Sequence, residues 1–143
     1  MNIDEIYINE AIRIRKVYLD SLLKIVEKEE DIKKYFDELD KIKEQIEKSK
    51  DENIQLDEKK MASTMIQINK NIEKIKNYIS PYYDSIKGLN EDQRILYNNI
   101  RDKYPNITND EIQTQIVPHI IPIDKQFRKE NEKTYQKIME RKK

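Results

Sequence analysis

The chain has 143 residues, with 28 basic and 28 acidic side chains, no formal net charge, one Gly, four Pro, one His and neither Cys nor Trp. Without Cys there is no thiolate chemistry and no disulfide scaffold. One His excludes a multi-His metal site within a single chain, and one Gly leaves no Gly-rich phosphate loop and too few tight turns for an all-β or doubly wound fold.

No apolar run approaches the roughly 18 residues of a membrane span. The start, Met1-Asn2-Ile3-Asp4-Glu5, is acidic where a secretion signal is basic, so the expectation is an intracellular protein without membrane insertion. Ile (25), Lys (22) and Asn (12) dominate and Ala occurs twice. Their codons fit an AT-rich genome, for which phages, viruses, protists and low-GC bacteria all qualify; a virion location is one expectation that follows.

Residues 3–49 contain neither Gly nor Pro, and their apolar residues recur at spacings of three and four, which predicts one long helix. A heptad seam runs through Tyr18, Leu22, Ile25, Glu29, Ile32, Phe36, Leu39, Lys43 and Ile46. A second runs through Glu58, Met61, Met65, Ile68, Ile72, Ile75 and Ile79, before Ser80-Pro81 is expected to end that helix. Folded back antiparallel, the seams set Leu39 against Met65, Phe36 against Ile68 and Ile32 against Ile72. The midpoint falls in the polar run Ser49-Lys50-Asp51-Glu52-Asn53, a natural turn.

Residues 3–23 are apolar around most of the helix circumference, so they need cover from residues 81–143 or from a partner. The C-terminal stretch reads as short helices. Asn90 with Gln93 suggests a capping box opening a helix over about 91–103, ended by Tyr104-Pro105. Thr108 or Asn109 caps a short helix through Ile112 and Ile116. The apolar run Ile116–Ile123 contains Pro118 and Pro122 and is expected to lie extended across the other helices. A last helix from Pro122 or Ile123 carries Phe127, Tyr135 and Ile138.

The predicted fold is all-α within a single domain, 1–143. An antiparallel coiled-coil helical hairpin, the stalk, spans 25–79. A small helical head combines 1–24, the N-terminal turns, with the C-terminal third, 80–143.

Chemistry is sparse. His119 lacks an orienting partner in any motif, and the carboxylate runs around Glu29 and Asp37 alternate with Lys as on a solvated helix face. No catalytic, cofactor or metal residues are assigned. Nine Tyr read as half-buried rings with wet hydroxyls. Polar Glu29, Lys43 and Glu58 in the seams read as register-setting residues.

Residues Asn98–Ile112, with helix, Pro105 and a second helix start, resemble the first helix junction of an HMG box, and Phe127 and Tyr135 in a basic terminal helix echo that family's third helix. The likeness covers under a third of the chain, the family's central Trp is missing, and the second helix runs early into Pro118. The resemblance implies nucleic-acid binding. Residues 124–143 carry eight basic and four acidic side chains.

The functional expectation is a non-enzymatic protein–protein interaction or structural accessory subunit of a larger assembly, with a protein partner or a second copy. Candidate contact residues are Ile54 and Leu56 at the hairpin tip and Ile120 and Ile121 in the Pro-flanked run. The alternative is a nucleic-acid adaptor using Lys125, Arg128, Lys129, Arg141, Lys142 and Lys143.

Overall fold

The computed structural model describes residues 2–52, 55 and 57–141. All regular elements among them are α-helices: α1 (Glu5–Glu52), α2 (Glu58–Lys103), α3 (Asn109–Glu130) and α4 (Glu132–Arg141). The all-α fold with a coiled-coil hairpin stands. The chain divides into two compact units, a hairpin unit of Glu27–Pro81 and a terminal unit of Met1–Val26 with Tyr82–Lys143.

In the hairpin unit, α1 continues through Asp51 and Glu52, so the turn begins later than the polar run suggests, and Asn53 lies outside the described residues. The start of α2 is fixed by Asp57, whose side chain accepts a hydrogen bond from the Lys60 backbone N–H at 3.0 Å. Leu39, Ile68 and Ile72 form the core, with Ile32, Tyr35, Ile42 and Met65 packed against them.

That list corrects the seam of α1. Tyr35 and Ile42 take the inward positions assigned to Phe36 and Lys43, while Ile32 and Leu39 keep theirs. The spacing of three and four survives, with its phase moved by one residue at alternate positions. The physical reason is desolvation: the expected phase would bury the Lys43 ammonium, whereas the observed one buries Ile42. Lys43 and Glu58 are both exposed. The shift leaves Phe36 46% exposed.

Three expectations for the chain after Ser80 are overturned, two of them because an interior proline does not end its helix. Helix α2 continues through Pro81, Gly88 and Asn90 as one helix of 46 residues, so Asn90 is not an N-cap. Helix α3 continues through Pro118 and Pro122, and Ile116–Ile123 is helical instead of extended. The last break falls at Asn131, so Phe127 belongs to α3 and Tyr135 to α4.

An interior proline forfeits one helical hydrogen bond and crowds the carbonyl four residues back, at a cost of about 3 kcal/mol. Here all three prolines are exposed, and so are Asn77, Thr114 and Pro118, whose carbonyls lose the N–H donor. Water can solvate those carbonyls. The opposite face of α3 meanwhile buries Ile112 and Ile116.

The terminal unit has its core in Ile3, Ala11, Ile14, Leu89, Leu96, Ile100, Ile107, Ile112 and Ile116. The N-terminal turns are therefore covered within the same chain. Ile8 and Ile12 are only half-buried, and Ile6 is 70% exposed, so the apolar circumference of α1 is not enclosed all round.

Thr108 caps α3 in a full capping box: the Glu111 N–H donates to Thr108 Oγ1 at 3.2 Å, and Glu111 Oε1 accepts from the Thr108 N–H. At the other end the Phe127 carbonyl accepts from both the backbone N–H (2.9 Å) and the side-chain amide (3.2 Å) of Asn131. Asn131 then opens α4, its carbonyl accepting from the Tyr135 N–H at 2.8 Å. Pro105 lies between α2 and α3, and Phe127 and Tyr135 fall on different helices.

Two predictions follow from packing. Ile72→Ala should cost about 2–5 kcal/mol in urea unfolding, whereas Phe36→Ala should cost less than about 1 kcal/mol. Gly88 is helical, with open space where a Cβ would stand. Gly88→Ala should therefore raise stability by about 0.5–1 kcal/mol in the same assay.

Candidate functional site

Every surface of note in the terminal unit is built on the anchoring of the N-terminus. The Ile3 N–H donates to Gln115 Oε1 at 2.6 Å. Asp4 receives the Tyr104 hydroxyl at 2.9 Å on one oxygen and the Lys103 ammonium on the other. Tyr7 meets the Tyr104 ring edge-on, with centroids 6.5 Å apart. Apolar Ile3 inserts beside these polar ties and is 6% exposed. The first turn of α1 is thereby fixed to the end of α2 and to α3.

Two further ties set the helix spacing. Arg15 grips Asp124 of α3 with both Nε (2.8 Å) and an Nη (3.0 Å), and its guanidinium lies 5.3 Å from the Tyr18 ring centroid. Arg13 bridges Glu10 (2.5 Å) and Asp92 of α2 (3.0 Å). Its hydrogen bonds to Glu10 first, and to Asp92, hold its pKa above the ordinary arginine value. On α2, the hydrogen bond from Arg94 lowers the Glu91 carboxyl and raises the arginine in turn.

A groove of about 440 Å³ opens between α1, α2 and α3. Its floor is apolar, from Ala11, Ile14, Leu89, Leu96 and Ile116, and Asn90, Gln93 and Gln113 place carboxamides along it. Arg15, its one charged side chain, is already held by Asp124. The groove offers hydrogen bonding without net charge and no nucleophile–base pair. Among the described residues no group of three or more His, Cys, Asp or Glu is placed to hold a metal ion. No described helix is long and apolar enough to cross a membrane.

A smaller depression of about 290 Å³ lies between the start of α1 and α2, lined by Ile6, Tyr7, Glu10, Asp92, Ile95, Leu96 and Asn99. Both of its isoleucines are exposed, Ile6 by 70% and Ile95 by 44%. The charges on this lining are Glu10 and Asp92, joined by Arg13.

The residues singled out from sequence separate. Ile54 and Leu56 lie outside the described residues. Ile120 and Ile121 part company because α3 is helical there: Ile120 is half-buried against the terminal core and lines the larger groove, while Ile121 is 47% exposed. Lys125, Arg128 and Lys129 are exposed on α3, and Arg128 stacks over the Tyr135 ring at 5.3 Å. Lys142 and Lys143 and the side chain of Arg141 lie outside the described residues. His119 is exposed.

The exposure of Ile6 is masked in the sequence by the continuous apolar character of residues 3–23. Its signal was the excess itself: three neighbouring helices can cover only part of a helix's circumference. Comparison with protein families, with curated proteins and with solved structures gave no match.

The ties carry a prediction. Asp4→Ala removes the acceptor for both Tyr104 and Lys103, and Asp124→Ala removes the acceptor for Arg15. Each should lower stability by about 1 kcal/mol in thermal unfolding. The Asp124 effect should shrink in high salt.

Proposed function

We propose that this protein is a non-enzymatic interaction protein, an accessory or structural subunit of a larger assembly, that receives a protein partner at the Ile6–Ile95 depression. The supporting observation is the exposure of these two isoleucines side by side on a rigid base. Ile6 sits two residues from the Asp4 anchor, and Ile95 adjoins Leu96, which is buried in the terminal core. Two large apolar side chains held in water at fixed spacing fit apolar anchors on a protein surface.

The rim argues for the same class of partner. Glu10 and Asp92 outweigh Arg13, so a phosphate backbone is repelled there, whereas a segment with apolar side chains and a basic flank is suited.

The test compares wild type with Ile6→Asp and Ile95→Asp as crosslinking baits in the native source. Both positions are exposed, so both variants should keep the wild-type melting temperature. A protein partner crosslinked by wild type should be lost with either variant. Retention of that partner by both variants would exclude the depression. Tight, salt-dependent DNA binding that survives both changes would instead favour the basic helix as a nucleic-acid surface.

A further inference from the structure

The exposed face of α3 carries an apolar stripe that core packing does not use. Val117 and Ile121 are 44% and 47% exposed, and Pro118 and Pro122 are exposed beside them. At 3.6 residues per turn these four form one apolar stripe at the middle of the helix, opposite the buried Ile112 and Ile116. The first turn of α3 is acidic, with Asp110 and Glu111, and the last turn is basic, with Arg128 and Lys129. All four charged residues are exposed and lie on the stripe's side of the helix.

We propose that this face is a self-association surface, in which α3 pairs antiparallel with α3 of a second copy. A two-fold axis lying against the stripe, level with residues 119 and 120, sets Asp110 beside Arg128 of the second copy and Glu111 beside Lys129. The same operation sets Val117 beside Ile121 and Pro118 beside Pro122. Acid meets base at both ends and apolar meets apolar at the centre, as an isologous contact demands. The second copy is the occupant because the charge order is its own complement. A partner helix of uniform sign would be repelled at one end.

The prolines fit this use. Their rings have almost no side-chain freedom to lose on contact, so the stripe orders at little entropic cost. Pro118 also has no N–H for the Thr114 carbonyl, and the two-fold operation sets Lys125 of the second copy against Thr114. Its ammonium can donate to that carbonyl. Such a pair of helices makes a small interface, so the expected dimer has a Kd on the order of micromolar. This surface is separate from the Ile6–Ile95 depression, and either can fail without the other.

Sedimentation velocity of the full chain over ~1–500 µM tests it, bracketing a micromolar Kd. Wild type should shift from monomer to dimer with concentration. Asp110→Lys and Arg128→Asp should each weaken the dimer about tenfold, because each creates two like-charge contacts. The two changes in one chain restore opposite pairs and should return most of the affinity, which a merely structural effect would not do. Ile121→Asp should abolish the dimer while far-UV circular dichroism shows unchanged helix content. A strict monomer throughout the range overturns the proposal. So does a dimer indifferent to Ile121→Asp, or charge reversals whose combination gives no recovery.

Discussion

The terminal unit depends on one packing event: Ile100 near the end of α2 and Ile112 near the start of α3, both 0% exposed, close on each other's neighbourhood together with the first turns of α1. Each fully buried isoleucine contributes roughly 1.5–3 kcal/mol of hydrophobic stabilisation. Ile100 and Ile112 can share this core because Tyr104-Pro105 stops α2 and Thr108 starts α3 within a few residues. The polar ties of Asp4, Arg15 and Gln115 are then arranged around a position already set by apolar burial. Exposed ion pairs such as Arg94 with Glu91 decorate this frame and add little.

The surfaces argued to matter are by-products of the same helices. A helix buries about half of its circumference, and what it does with the rest distinguishes the elements here. Much of the hairpin unit's outer face is Lys and Glu, with Lys28 over the Tyr78 ring at 5.4 Å. The start of α1 leaves Ile6 in water, and α3 leaves Val117 and Ile121. Those apolar residues stand on the unit whose N-terminus is most firmly tied, which gives them defined positions.

Helical periodicity made the fold legible. Ile32 and Leu39 of the first heptad seam meet Met65, Ile68 and Ile72 of the second. Residues 3–23 called for cover from residues 81–143 or from a partner, and the chain itself supplies it in the terminal core. The errors have two causes. One is the ambiguity of neighbouring heptad phases when Tyr35-Phe36 and Ile42-Lys43 each offer a choice; burial of an ammonium decides it, and that is a tertiary cost. The other is proline. A local rule reads Pro81, Pro118 and Pro122 as ends of helices, but their price depends on whether the freed carbonyl faces water, which requires the exposed face to be known. The candidate surface was harder still: Ile6 lies in an apolar run whose other nearby members are buried or half-buried, and its own exposure is set by where the neighbouring helices stop covering α1.

The interruption of the terminal unit by the hairpin unit bears on the order in which the chain folds. Val26 and Tyr82 flank a stretch of roughly 55 residues, and joining the ends of a flexible loop that long costs about 2 kcal/mol more than closing one of a few residues. Sequence-local pairing of the two hairpin arms shortens the effective loop before the distant segments meet. Early zipping of the arms around Leu39 and Ile72 thus serves as a kinetic tether, and weakening that seam should slow the docking of the N-terminal turns far from it in sequence.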